Sequence, residues 1–328
     1  MKRALFCTLI PLFLVAACGE ATKFNGEGDP PPPPAAGFDI TTANGLQVAQ
    51  VAYQSVITSG DVAGLAGSSG LTADAGGSVT KPVIQKPLGG TLGSLVQQVP
   101  IGPTTLDCVA GGSLTITADL ADPLTLTAGD TILAEYDSCD DALGEIIHGT
   151  LEFIVDAFTG DIFTGIYALT MTMNLDAFQS TVGADVTTAN GDGTATLDTT
   201  AAPYVEASVS GSVMVVDTNG SAETLTTYSS TQTLDAGLTP APYTMIASGT
   251  LDSSQLAGGI TYSTPVMFQG FDVSYPHTGE LLVSSEGSSI RLVADDDVNV
   301  HIDVYSNADG SGTPDDTIVT TWAELAGL

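Results

Sequence analysis

Tyr167-Ala-Leu-Thr-Met-Thr-Met-Asn-Leu175 decides the fold. Tyr167, Leu169, Met171, Met173 and Leu175 occupy every second position, with Ala168, Thr170, Thr172 and Asn174 between them. Successive side chains of a strand point to opposite faces, so this period gives a strand with one apolar and one polar face. A helix would space its apolar residues by three and four.

The same period runs outward in both directions. Leu114, Ile116 and Ala118 alternate with threonines, and Val298, Val300, Ile302 and Val304 alternate with Asn299, His301, Asp303 and Tyr305. Turn signals divide the chain at Thr159-Gly160-Asp161, Asn190-Gly191-Asp192-Gly193, Asn219-Gly220, Gly258-Gly259 and Asp309-Gly310. Such dipeptides supply the positive φ that tight hairpins need. Abundant threonine and valine suit a pleated surface. The spacing predicts about twelve to fourteen antiparallel strands after residue 106. A meander of that size curls, closes or folds over. The expected fold is therefore mainly all-β: a large antiparallel meander forming a curved sheet or barrel, with one or two short N-terminal helices against or inside it. A two-sheet sandwich is the second reading.

Residues 38–106 read differently. Thr41-Thr42 precede Leu46, Val48, Ala49, Val51, Ala52 and Val56, which predicts a helix with a hydroxyl N-cap. Glycine-rich sequence follows, and Leu92, Leu95, Val96 and Val99 suggest a second short helix. With few charges, this segment is expected to pack on the sheet of residues 107–328. Residues 18–37 contain five consecutive prolines, Pro30 to Pro34, which hold an extended polyproline II spacer.

The first 17 residues have the layout of an export signal. Met1-Lys2-Arg3 is basic, Ala4 to Val15 is an apolar run too short for a stable bilayer span, and Ala16-Ala17 are small. Leu14-Val15-Ala16-Ala17-Cys18 resembles the bacterial lipobox. That resemblance implies a diacylglycerol on the Cys18 thiol and a further acyl chain, such as palmitate, on the new N-terminus. Two or more chains make a stable anchor where one is marginal. Gly19, in place of an aspartate, points to the outer membrane.

Cys7 lies in the signal and Cys18 carries the lipid, so Cys108 and Cys139 remain in the mature domain. An isolated pair in an exported protein is expected to form one disulfide. A reactive thiol or a metal pair is the alternative.

Charge restricts the partners. The chain has 6 basic and 38 acidic residues, and beyond Lys86 only Arg291 is basic. Such a surface repels phosphate backbones, which excludes nucleic acid. It also gives no grip on anionic headgroups, so membrane attachment falls to the lipid. Solubility in a salty medium and attraction of divalent cations are the two readings of the charge itself.

Catalytic motifs are missing from the sequence. It holds no Gly-x-Ser-x-Gly elbow, no phosphate-binding loop with its lysine and no His-Glu-x-x-His. Glu145-Ile-Ile-His148 has the spacing of a helical metal motif but falls on a predicted strand. His277 and Glu280 flank an expected turn at Thr278-Gly279. His301 shares a strand face with Asn299 and Asp303. One constellation suits a hard cation: Asn307, Asp309, Ser311, Thr313 and Asp315 place oxygens at alternate positions around Gly310, like a calcium loop. Asn and Ser replace two aspartates there, and no glutamate closes the loop. A polar hairpin tip is the competing explanation.

Several segments together resemble β-rich lipoproteins of Proteobacteria, most of them uncharacterised. They are the lipobox, Cys108-Val-Ala-Gly-Gly-Ser113, Leu126-Thr-Ala-Gly-Asp130, Tyr136-Asp-Ser-Cys139, Gly149-Thr-Leu-Glu-Phe153 and Thr320-Thr-Trp-Ala-Glu-Leu325. The resemblance supports the fold and implies no activity. The expected function is a lipid-anchored outer-membrane lipoprotein with a non-catalytic structural or binding role, on the periplasmic face or the cell surface. A carrier of an apolar ligand, in a lipocalin-like or lipoprotein-carrier-like β-fold, is the alternative. A hydrolase using scattered carboxylates is the third class.

Overall fold

Strand alternation from residue 104 onward assembles one sheet. The computed structural model describes residues 37–66, 103–122, 125–140, 142, 144–161, 164–272 and 274–326. The lipobox-like segment, the expected proline tether as far as residue 36 and the predicted second helix near Leu92 lie outside the described residues. The sheet contains β1 (Thr104–Asp107), β2 (Gly111–Asp119), β3 (Thr131–Asp140), β4 (Glu145–Asp161) and β5 (Ile166–Val182). It continues through β6 (Asp185–Asp198), β7 (Tyr204–Thr218), β8 (Ser221–Asp235), β9 (Pro242–Ser253) and β10 (Ile260–Phe271). It ends with β11 (Thr278–Ser285), β12 (Ser288–Ala294), β13 (Asn299–Tyr305) and β14 (Asp316–Thr321). The order in space is the order in sequence, and each strand pairs antiparallel with the next. The sheet is an open meander and is not closed into a barrel. It begins three residues earlier than the expected boundary, because Thr104 already pairs with Ile116.

The long strands keep one face inward by means of bulges. In β5, Leu169, Met171, Met173 and Leu175 are buried at odd positions, whereas Phe178 and Ser180 are buried at even ones. An extra residue at Asp176-Ala177 makes the change of phase, with Ala177 at φ 47°. In β8, Thr227 at φ 50° does the same between Leu225 and Tyr228. A bulge inserts one residue, bends the strand and increases its twist, which curves strands of this length around a core.

Asn190-Gly191-Asp192-Gly193 corrects an expectation: it is the middle of β6, not a turn. The register shifts between Gly191 and Thr194 because β7 carries the extra residue there, and β5 carries one at Asp176-Ala177, so this segment is the regular strand facing a bulge on each side. Gly191 sits at φ +146°, where a Cβ would meet the Val213 carbonyl. Asn190 Oδ1 accepts the Ala177 N–H at 2.7 Å, which satisfies the neighbouring bulge in β5. Thr278-Gly279 likewise begins β11 instead of forming a turn. Asn219-Gly220 does form the β7–β8 turn, with φ of 54° and 85°, the signs a type I′ turn requires.

Helix α1 (Gly45–Ala66) lies on the inner face, touching β6 to β9, β11 to β13 and the short C-terminal helix α2 (Trp322–Leu325). Val48, Ala49, Val51, Ala52, Tyr53, Ser55 and Val56 are all buried, while Gln47, Gln50 and Gln54 mark its outer stripe. A helix apolar around most of its circumference belongs in an interior. Small inner residues on the strands it crosses, among them Ala195, Ala207 and Ala247, leave room for it. The expected hydroxyl cap is not what starts it. The Thr41 carbonyl accepts from the N–H groups of Asn44 and Gly45, and the Thr42 hydroxyl donates to Asp316.

Trp322 joins these pieces. It is fully buried and packs against Tyr53, Phe268 and Tyr275, and its Nε1–H donates to the Asp296 carbonyl at 3.0 Å. Helix α2, which the sequence reading did not anticipate, is capped by the Thr321 hydroxyl accepting the Glu324 N–H.

Candidate functional site

Cys108 and Cys139 meet at one border of the sheet. Cys108, in the β1–β2 turn, and Cys139, in β3, form a disulfide with Cα atoms 5.3 Å apart. The Ala110 N–H also donates to the Asp140 carbonyl, so the first three strands are tied together across the turn. Cys18 lies outside the described residues.

The Asn307–Asp315 segment connects β13 to β14 and folds back over the outer face. Asp309 Oδ1 accepts from the Ser311 hydroxyl at 2.8 Å and from the Ser311 N–H at 3.1 Å. Asn307 exchanges bonds with the Ser311 backbone, donating to its carbonyl and accepting from its N–H. Asp315 Oδ2 accepts the Ser306 N–H at 2.6 Å, at the neck of the hairpin. Thus Asn307, Asp309 and Ser311 converge, whereas Asp315 holds the base of the loop. The bonds from Ser311 keep the Asp309 carboxyl below its ordinary pKa, with a smaller contribution from Arg291. Arg291 also donates to the Gly310 carbonyl at 3.0 Å, so a fixed cation already faces this loop.

Arg291 is the centre of a polar cluster on the outer face of β11 to β14. It pairs with Glu280 at 2.9 Å and stands directly across from Asp303. His301 Nδ1 lies 2.8 Å from Asp295, and its Nε2 lies 3.8 Å from Asp303. Thr317 donates to Asp303 at 2.6 Å. Side chains two apart on a strand share a face, which brings these groups together across four strands. The sequence reading placed His301 and Asp303 on one face but missed Arg291 and Glu280. The isolation of Arg291 among acids was the available signal.

The other histidines stand apart. His148 points outward near Asp137, and Glu145 points inward, where it accepts from the Ser180 hydroxyl at 2.8 Å. Positions three apart on a strand face opposite ways, so Glu145 and His148 do not form a pair. His277 stacks on Phe271. Among the described residues no three histidine, cysteine or acidic side chains form a metal-holding group.

Many aspartates organise turns. Asp198 accepts from Thr200, Asp235 from the Gly237 N–H, Asp272 from the Ala241 N–H, and Asp296 from the Val298 and Asn299 N–H groups. Hydrogen bonds to the ionised form hold Asp198 and Asp296 below the usual carboxylate range, mainly through Thr200 and Asn299. A comparison with protein-family models, curated proteins and solved structures finds no match for this chain.

A second glutamate, besides Glu145, faces the interior. Glu223 on β8 lies on the inner face beside Ser55 of α1, and burial pushes its pKa up while the Ser55 hydroxyl pulls partly back. Gln255 reaches it at 3.5 Å, and Gln47 of α1 donates to the Gln255 carbonyl at 2.9 Å. This network fixes α1 against the β9–β10 connection. It is a structural joint between helix and sheet.

Proposed function

We propose that this chain is a lipid-anchored outer-membrane lipoprotein of the β-rich proteobacterial kind, with a non-catalytic structural or binding role. The observation that carries the reading is Leu14-Val15-Ala16-Ala17-Cys18 behind a basic start and a short apolar run. The arrangement of the domain supports it. Helix α1 and Trp322 occupy the inner side of the sheet, where a carrier would hold its ligand. Several turn aspartates hold their own loops, a role that needs no substrate. No described helix is long and apolar enough to cross a membrane, and in this reading the acyl chains supply the attachment.

Metabolic labelling with palmitate tests the assignment. Label is expected on the mature chain and absent from Cys18→Ser. An unlabelled wild-type chain would overturn the lipoprotein reading.

A further inference from the structure

Hairpin tips of a meander alternate between two ends. The β4–β5, β6–β7, β8–β9, β10–β11 and β12–β13 tips therefore share one end. Each exposes a large apolar side chain at or beside its turn: Ile166, Tyr204, Leu238, Phe271 and Val298, between 39% and 57% exposed. Scattered single apolar residues on a surface need no explanation. One on each of five successive tips, about 10 Å apart by the strand spacing, forms a row.

The row is held in place. Thr199 Oγ1 donates to the Gly165 carbonyl at 2.8 Å, linking the first two tips. The Ala236 N–H donates to the Pro203 carbonyl at 3.1 Å, linking the second to the third. Asp272 and Ala241 exchange bonds at 2.9 and 3.1 Å, linking the third to the fourth. The fifth is fixed through Trp322, whose backbone N–H donates to the Val298 carbonyl and whose indole donates to that of Asp296. Preorganised loops lose little freedom on binding.

The row also has one sign of charge. Asp198, Asp235, Asp272 and Asp296 stand on four of these tips, and no lysine or arginine occurs in any of the five turns. Arg291 is on β12 and is paired with Glu280. At the opposite end, the Phe38 and Ile40 N–H groups bond to Ser285 and Ser288 of the β11–β12 hairpin. The first described residues therefore lie at the end away from the row.

We infer that this rim is a docking surface for a basic polypeptide that carries apolar side chains between its cations. Lysines or arginines meet the tip carboxylates, and apolar residues cover Tyr204, Leu238 and Val298. The complementarity steers the encounter, and apolar burial holds the complex. The inference does not depend on the lipid anchor, so it stands or falls separately from the palmitate result.

The test uses the full-length chain in detergent with a synthetic peptide of alternating lysine and leucine, alongside a lysine-only peptide of equal charge. The mixed peptide is expected to bind in the micromolar range. Joint substitution Tyr204→Ser and Leu238→Ser should weaken it about tenfold, about 1.4 kcal/mol. The pair Ile146→Ser and Val182→Ser, exposed apolar positions at the other end, should leave it unchanged, with circular dichroism confirming that both variants fold. Three results would overturn the inference: no binding, equal loss in both pairs, or equally tight binding of the lysine-only peptide.

Discussion

Replacing Trp322 by alanine should destabilise the whole domain, although only six residues of the sequence follow it. Its ring centroid is 4.9 Å from that of Tyr53, 6.0 Å from that of Phe268 and 6.0 Å from that of Tyr275. It therefore contacts α1, β10 and the β10–β11 connection at once, and its indole satisfies the Asp296 carbonyl. Truncating a buried aromatic costs about 3–5 kcal/mol, because lost transfer energy and the residual cavity add. Trp322→Phe keeps a ring but removes the donor and some volume, and should cost about 1–3 kcal/mol. For a domain of this size each kcal/mol lowers Tm by about 2–4 °C, so alanine should lower it by roughly 6–20 °C. Thermal and urea unfolding followed by far-UV circular dichroism provide the assay. Val319→Ala serves as control, since Val319 is 77% exposed on the edge strand β14, and should change stability by less than about 0.5 kcal/mol. If Trp322→Ala cost no more than that control, α1 and α2 would not belong to the core, and the packing argument would fail.

Other perturbations address the remaining joints. Cys139→Ser opens a loop of 31 residues and should cost about 2–4 kcal/mol, read as a lowered Tm that the wild type reproduces under reductant. Glu223→Gln should raise Tm at pH 7. The folded carboxyl titrates above its ordinary value, so its stability is complete below that value and falls as pH rises through the folded pKa. The advantage of the variant should vanish near pH 4, and a variant less stable at pH 7 would refute this placement of Glu223. Calcium titration of the purified chain examines the Asn307–Asp315 loop. The bonds already engaging Asp309 and Asp315 predict neither a heat signal nor a Tm shift, and either one would assign the loop to a cation.

The period of two in Leu169 to Leu175 made the strand legible, because burial of one face leaves a residue-by-residue trace. Openness of the sheet left none: whether β1 meets β14 is decided by accumulated twist and bulges, not by local pattern. Asn190-Gly191-Asp192-Gly193 was misread for a related reason. Glycine at positive φ serves a tight turn and a strand facing bulged neighbours equally, and only the contacts with Ala177 and Val213 distinguish them. Val298 continued the alternation of β13 in sequence, yet it lies in the preceding turn and is exposed. Cys108 and Cys139 were readable from arithmetic, since setting Cys7 and Cys18 apart as signal and lipid site leaves no other cysteine to compete. The Arg291–Glu280 pair was not, because its partners come from separate strands. Helix α2 was hidden by length: Trp322-Ala-Glu-Leu325 is too short for a helical period to register.

Membrane attachment is the claim on which the functional reading turns. Fractionation of cells producing wild type or Cys18→Ser, with a salt and carbonate wash of the membranes, measures it directly. If the lipid alone attaches the acidic domain, as proposed, wild type should sediment with the outer membrane and Cys18→Ser should be folded and fully soluble. Cys18→Ser retained in washed membranes would contradict the account, because another surface of the protein would then be holding it there.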